Sequence, residues 1–94
     1  MGLGYALLEK VALDRGNNLT TTFATYLIPT SMEAPDVVPV VLESGEGMGP
    51  FGARGIGEPP VGPPAAAVAN AIYDAVGVRV TELPVWPETV ARAI

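Results

Sequence analysis

A chain of 94 residues has room for one small domain, and its ten acidic against five basic residues leave a formal charge of −5. With no basic cluster to neutralise phosphates, the composition argues against a nucleic-acid partner. Cysteine and histidine are both absent, which removes disulfides, thiolate-held zinc or iron–sulfur clusters and the usual imidazole base, and leaves carboxylates for proton transfer.

In chain order, Leu3, Leu7, Leu8 and Val11 are spaced for one face of a helix, with Glu9 and Lys10 opposite. No Ser, Thr, Asp or Asn precedes this helix to cap it, and Gly2 and Gly4 suit a backbone that approaches something closely. The start has the look either of an element cut from a longer chain or of a frayed N-terminal helix. Met1 to Leu13 lacks the basic leader and cleavage site of a signal peptide. Asp14-Arg15-Gly16-Asn17-Asn18 reads as a turn reversing the chain between short extended pieces. Tyr26 to Thr30 is a further extended stretch, and Val37 to Glu43 has strand composition, with Pro39 confining it to a sheet edge or a bulge.

From Ser44 to Pro64 the chain carries glycines at 45, 47, 49, 52, 55, 57 and 62 and prolines at 50, 59, 60, 63 and 64. A loop of this length in a compact domain is functional or disordered. It leads into a helix opened by Pro64, built of Ala65 to Val76 and stopped by Gly77. That helix is apolar on nearly every side, so burial against neighbours is expected, and an ordered loop with it. The longest apolar stretch, Ala65 to Ala69, ends at Asn70, far below the roughly 20 residues of a membrane span. The expectation is a soluble, cytoplasmic chain with no membrane partner. Val78 to Glu82 alternates as a half-buried strand does, and Pro87 opens a last helix with Glu88 complementing its dipole. The fold class is α+β: short helices packed on a small mixed sheet, with a long Gly/Pro-rich loop.

Chemistry concentrates in Gly52-Ala53-Arg54-Gly55-Ile56-Gly57-Glu58-Pro59-Pro60, where an ionisable pair stands between glycines. The prolines after Glu58 restrict the backbone and disfavour the α region there, which would hold the carboxylate for general-base work. A solvated loop glutamate is the plainer alternative. A phosphate cradle is poorly supported, since no Gly-Lys-Ser/Thr ending and no third glycine at the dinucleotide spacing follow Gly55-Ile56-Gly57. Glu43 and Glu46 read as solvated surface, and Trp86 as a packing anchor rather than a stacking platform.

The run Gly49 to Pro60, with Gly2-Leu3-Gly4-Tyr5-Ala6-Leu7, Phe23 through Thr30 and Leu83-Pro84-Val85 in order around it, resembles the molybdenum hydroxylases. These are the xanthine dehydrogenases and aldehyde oxidases. The whole chain, residues 1–94, looks like a partial C-terminal portion of the molybdopterin-binding domain in their large subunit. The resemblance implies a molybdenum–molybdopterin cofactor shared with polypeptide not present here, and iron–sulfur clusters and FAD on partner domains or subunits. It implies that Glu58 lies beside the molybdenum as general base, not as a metal ligand. The main chain of Gly55, Ile56, Gly57 and Gly2 would adjoin the cofactor. The reaction implied is hydroxylation of an N-heterocycle or aldehyde with water-derived oxygen, carried out with the remainder of the large subunit and the iron–sulfur and FAD subunits. Met1 departs from a glutamine common in the family, Arg54 from a lysine, and Trp86 from a Ser/Thr helix cap. The isolated chain is expected to be inactive and prone to self-association. The alternative is a non-catalytic remnant or interaction module of the same fold without cofactor.

Overall fold

The computed structural model describes all residues, 1–94. Its elements are α1 (Gly2–Leu7), β1 (Leu13–Asp14), β2 (Asn17–Asn18), α2 (Pro63–Val76) and α3 (Pro87–Ala93), with single 3₁₀ turns at Pro50–Gly52 and Pro59–Val61. Three helices and one small antiparallel sheet make this an α+β segment.

The expected reversal is a hairpin in which Leu13 pairs with Asn18 and Asp14 with Asn17. Its two-residue connection has φ of 46° at Arg15 and 86° at Gly16, the pair of positive values that matches strand twist in a tight hairpin. Side chains extend the reversal past the strands. Asn18 Oδ1 accepts from the N–H and the hydroxyl of Thr20, at 2.9 and 2.8 Å, and the Thr20 hydroxyl in turn accepts from Ala12 N–H at 3.2 Å.

The N-terminal helix forms, but the face it buries is not the leucine stripe. Gly2, Gly4 and Ala6 are buried, whereas Val11 lies outside the helix and is exposed. The reason is close approach. A Cβ on Gly2 would overlap the Pro64 ring at the start of α2, and one on Gly4 would stand 3.0 Å from Pro29 Cδ. Small residues let α1 lie directly on these prolines, which leaves the leucines at the margin.

The second helix keeps its expected limits. Pro63 and Pro64 occupy its first turn, and Gly77 ends it at φ 72°, its N–H donating to Tyr73 O at 2.8 Å. No residue of α2 is buried, however. Only one side of the helix meets α1, so its other apolar faces stand open. In α3, Glu88 in the first turn complements the helix dipole as expected, and Arg92 in the last turn does the same at the other end. Val85 lies just before it, 4% exposed, and its N–H donates to Ala6 O at 2.7 Å. With Pro84 it completes a core of very few residues at the α1 end of the molecule.

The remaining strand expectations are corrected. Tyr26 to Thr30, Val37 to Glu43 and Val78 to Glu82 form no ladder, so there is no mixed sheet for the helices to pack on. A strand exists only against a partner strand, and no second β-competent run of this chain lies alongside any of these. The result is an open molecule. Its radius of gyration is 17.2 Å, against about 12 Å for a compact domain of this length. Its accessible surface is 7853 Å², about 2,700 Å² more than the roughly 5,100 Å² of a compact monomer of this mass. No helix is long and apolar enough to cross a membrane.

Candidate functional site

The glycine-rich segment is organised around its own main chain. Gly47 N–H donates to Gly52 O at 2.9 Å and Gly49 N–H to Ala53 O at 3.0 Å, closing the segment over the Pro50–Gly52 turn. Side chains are excluded there by contact. A Cβ on Gly47 would overlap the Gly52 and Ala53 carbonyls, and Gly52 itself sits at φ 76°. Arg54 completes the closure, since its guanidinium donates to Glu46 O at 3.3 Å and lies 3.7 Å from Glu46 Oε2. The ionic partner of Arg54 is therefore Glu46, not Glu58. Both groups are exposed, so the pair contributes little to stability and acts mainly to set the loop's shape.

Beyond Arg54 the main chain changes character. The N–H groups of Arg54, Gly55, Ile56, Gly57 and Glu58 donate to no group of the chain. A Cβ on Gly55 or Gly57 would meet nothing within 4 Å. The segment thus presents consecutive backbone donors with open space beside them.

Glu58 closes the segment. Its backbone is in the α region, φ −76° and ψ −28°, where it precedes the Pro59–Val61 turn, and its carbonyl accepts from Val61 N–H at 2.9 Å. The extended conformation expected of a residue before proline is not the one adopted: turning into the 3₁₀ element outweighs the local preference. The carboxylate is exposed and has no hydrogen-bond or ionic partner in the chain. The backbone is held and the carboxylate is free to reach outward.

Two contacts fix this unit to the small core. Tyr5 hydroxyl donates to Gly62 O at 3.2 Å, and the Pro64 ring covers Gly2. Gly2 thus lies under the segment that follows Glu58, and the absence of a side chain there is accounted for by packing against Pro64. Nothing in the sequence signalled the link between Tyr5 and Gly62, whose partners stand 57 residues apart. Nor did it signal the Tyr26 hydroxyl, which donates to Glu9 Oε2 at 2.7 Å. That carboxylate holds the phenolic proton, by hydrogen bond first, and raises Tyr26 above the ordinary tyrosine value.

With this geometry in view, comparison with known proteins gives its class. Residues 1–35 match the family described as a molybdopterin cofactor-binding domain. Over 93 residues, 95% of its length, the chain is 41% identical to the gamma subunit of the 6-hydroxypseudooxynicotine dehydrogenase complex of Paenarthrobacter nicotinovorans. It is 39% identical over 94 residues, 99% of its length, to an aldehyde oxidoreductase of Megalodesulfovibrio gigas. Over 90 residues, 94% of its length, it is 33% identical to a putative xanthine dehydrogenase molybdenum-binding subunit of Escherichia coli (strain K12). The chain belongs to this family of xanthine dehydrogenase and aldehyde oxidoreductase molybdenum-binding subunits. It spans 12%, 10% and 12% of those three relatives, about an eighth or less of each.

The family's cofactor is molybdenum held by molybdopterin, and the donor set present here is compatible with it. Unpaired N–H groups from Arg54 to Glu58, bare at Gly55 and Gly57, suit the edge of a polar, hydrogen-bonding group. No cluster of three or more Asp or Glu side chains is present in the chain.

Proposed function

We propose that this chain supplies the general base, Glu58, and part of the cofactor-facing main chain to a molybdenum hydroxylase acting on an N-heterocycle or an aldehyde. One observation carries the reading. An unpartnered, exposed carboxylate on a held backbone directly follows the open donors of Gly55, Ile56 and Gly57, in a chain 41% identical to a dehydrogenase-complex subunit over 95% of its length.

The roles divide by residue. The N–H groups of Gly55, Ile56 and Gly57 hold the cofactor's polar edge, and glycine at 55 and 57 lets that edge approach the backbone without a Cβ between them. When bound, the cofactor supplies a site for two-electron oxidation of the substrate and acidifies a water-derived nucleophile. Glu58 accepts the proton from that nucleophile, a task for a positioned carboxylate in a chain that has no histidine. Pro59 and Pro60 restrict the main chain that carries the carboxylate, and Tyr5 ties the far end of the turn to α1. Gly2 enters this reading through its contact with Pro64, which places α1 behind the turn.

The same proposal assigns the missing functions to partners. The remainder of the molybdenum-binding subunit provides the rest of the cofactor site and orients substrate. Iron–sulfur and FAD subunits carry the electrons away, as the absence of cysteine in this chain requires of any thiolate-held cluster.

The test is Glu58→Gln in the assembled enzyme. Removal of one general base lowers turnover by about 10²–10⁴-fold, with molybdenum content and substrate KM unchanged. Loss of molybdenum on the same substitution would make Glu58 a structural residue and overturn the assignment.

A further inference from the structure

We propose that Val37–Leu42 is a docking strand that pairs, along one defined edge, with a β-strand of the polypeptide supplying the rest of a molybdenum-binding subunit. The proposal rests on the functional reading above, in that it names how the partner engages.

Four observations support it. Val37, Val38, Val40, Val41 and Leu42 are 77%, 84%, 80%, 78% and 89% exposed, so the most strand-like run of the chain buries nothing. No N–H from Val37 to Glu43 donates to any group of the chain, which leaves the ladder-forming groups of the run uncommitted. The excess surface of about 2,700 Å² over a compact monomer is more than three times the roughly 800 Å² each partner contributes to a standard stable interface. Finally, relatives covered to only 12% of their length possess a large body of polypeptide that corresponds to none of this chain.

The occupant follows from the pattern. In a strand, Val37 and Val41 fall on one face and Val38, Val40 and Leu42 on the other, so both faces are apolar and require cover. A second copy of this chain offers no formed sheet beyond its short hairpin. A partner with a sheet edge and an apolar layer is required, and the family relatives are where such polypeptide is available.

The edge follows from Pro39. The N–H and C=O of one residue point to the same side of a strand, and those of the next residue to the opposite side. Residues 37, 39 and 41 share one edge, where Pro39 leaves a gap in the donors. Residues 38, 40 and 42 share the other, with every N–H present. Pairing therefore runs along Val38, Val40 and Leu42.

The experiment replaces the matching segment of the Paenarthrobacter gamma subunit with residues 1–94 of this chain, and reads amide hydrogen exchange and molybdenum content separately. Amides of Val38, Val40 and Leu42 should slow at least 100-fold relative to the isolated chain, and more than those of Val37 and Val41. Val40→Pro should abolish that protection at Val38 and Leu42, on the order of 100-fold, whereas Val41→Pro should retain most of it. Equal protection on both edges, or equal damage from the two prolines, overturns the edge assignment. An unprotected run, or a chimera that fails to accumulate where the parent subunit does, overturns docking. Protection without molybdenum leaves the docking strand intact and refutes the cofactor reading instead.

Discussion

Replacing Gly2 by alanine adds one methyl group where the small core has no space for it. That carbon would overlap Pro64 Cγ and stand 2.8 Å from Pro64 Cβ and 3.1 Å from its Cδ. The obstacle is a ring closed onto the backbone in the first turn of α2, so it cannot swing aside as a long side chain would. Relief requires α1 to move off α2. Overlap with a rigid ring falls in the upper part of the overpacking range, about 2–3 kcal/mol, and alanine's better helix propensity returns about 1 kcal/mol. The balance is about 1–2 kcal/mol against the docked position of α1. The reporter is the amide of Val85, which is buried and donates to Ala6 O at 2.7 Å. With 1.4 kcal/mol equal to a factor of ten, its hydrogen exchange should quicken about 5- to 30-fold in Gly2→Ala. Gly55→Ala is the control, since a Cβ there meets nothing within 4 Å, and it should leave Val85 unchanged. Unaltered or slower exchange in Gly2→Ala would refute the claim that close approach at Pro64 holds the core together.

Gly77→Ala tests the end of α2 by conformation alone, because φ is 72° and no atom lies within 4 Å of the added methyl. The substitution should destabilise the helix terminus by about 1–2 kcal/mol, seen as faster amide exchange at Gly77's neighbours in the last turn. Glu9→Gln should lower the pH at which Tyr26 ionises, read from phenolate ultraviolet absorbance, because the hydrogen bond and charge that retain the phenolic proton are weakened. The sign follows from a folded value raised above the unfolded one: the contribution to stability is present below the ordinary tyrosine range and is lost as pH rises through the raised value.

Local chemistry made part of this molecule legible in advance. The hairpin at Arg15-Gly16, the span of α2 with its proline start and αL glycine, and the Pro87 and Glu88 start of α3 are set by residues within a few positions of one another. Their backbone preferences need no distant partner. The glycines and prolines of the loop announce a shaped main chain for a similar reason, since its closure over the Pro50–Gly52 turn is made by residues 47 to 53 alone. Four readings failed where a partner decides the outcome, the extended stretch Tyr26 to Thr30 among them. Val37 to Glu43 and Val78 to Glu82 have strand composition without a neighbouring strand, and α2 has buried-helix composition without a second layer. The leucine stripe of α1 failed for the opposite reason, since Pro29 and Pro64 approach the glycine face more closely than leucines allow. Periodicity records which residues can be buried, not which neighbour arrives.

The same distinction governs the candidate site. Everything that positions Glu58 is internal: the turn through Pro59 and Pro60, the Val61 N–H on its carbonyl, and Tyr5 on Gly62. What a base needs at its carboxylate is external, namely a proton donor within hydrogen-bond reach and a site from which bulk water is excluded. The unpaired donors of Arg54 to Glu58 lie little more than ten residues after the unpaired apolar run of Val37 to Leu42 in one continuous stretch. Closing the loop over the Pro50–Gly52 turn shortens the path between them, through Gly47 to Gly52 and Gly49 to Ala53. A partner that pairs with the strand is therefore brought beside the donors and the carboxylate by the same loop. On the proposed reading, docking precedes completion of the site, so substitutions that weaken the Val38, Val40 and Leu42 edge should lower activity in the assembly without any change at Glu58.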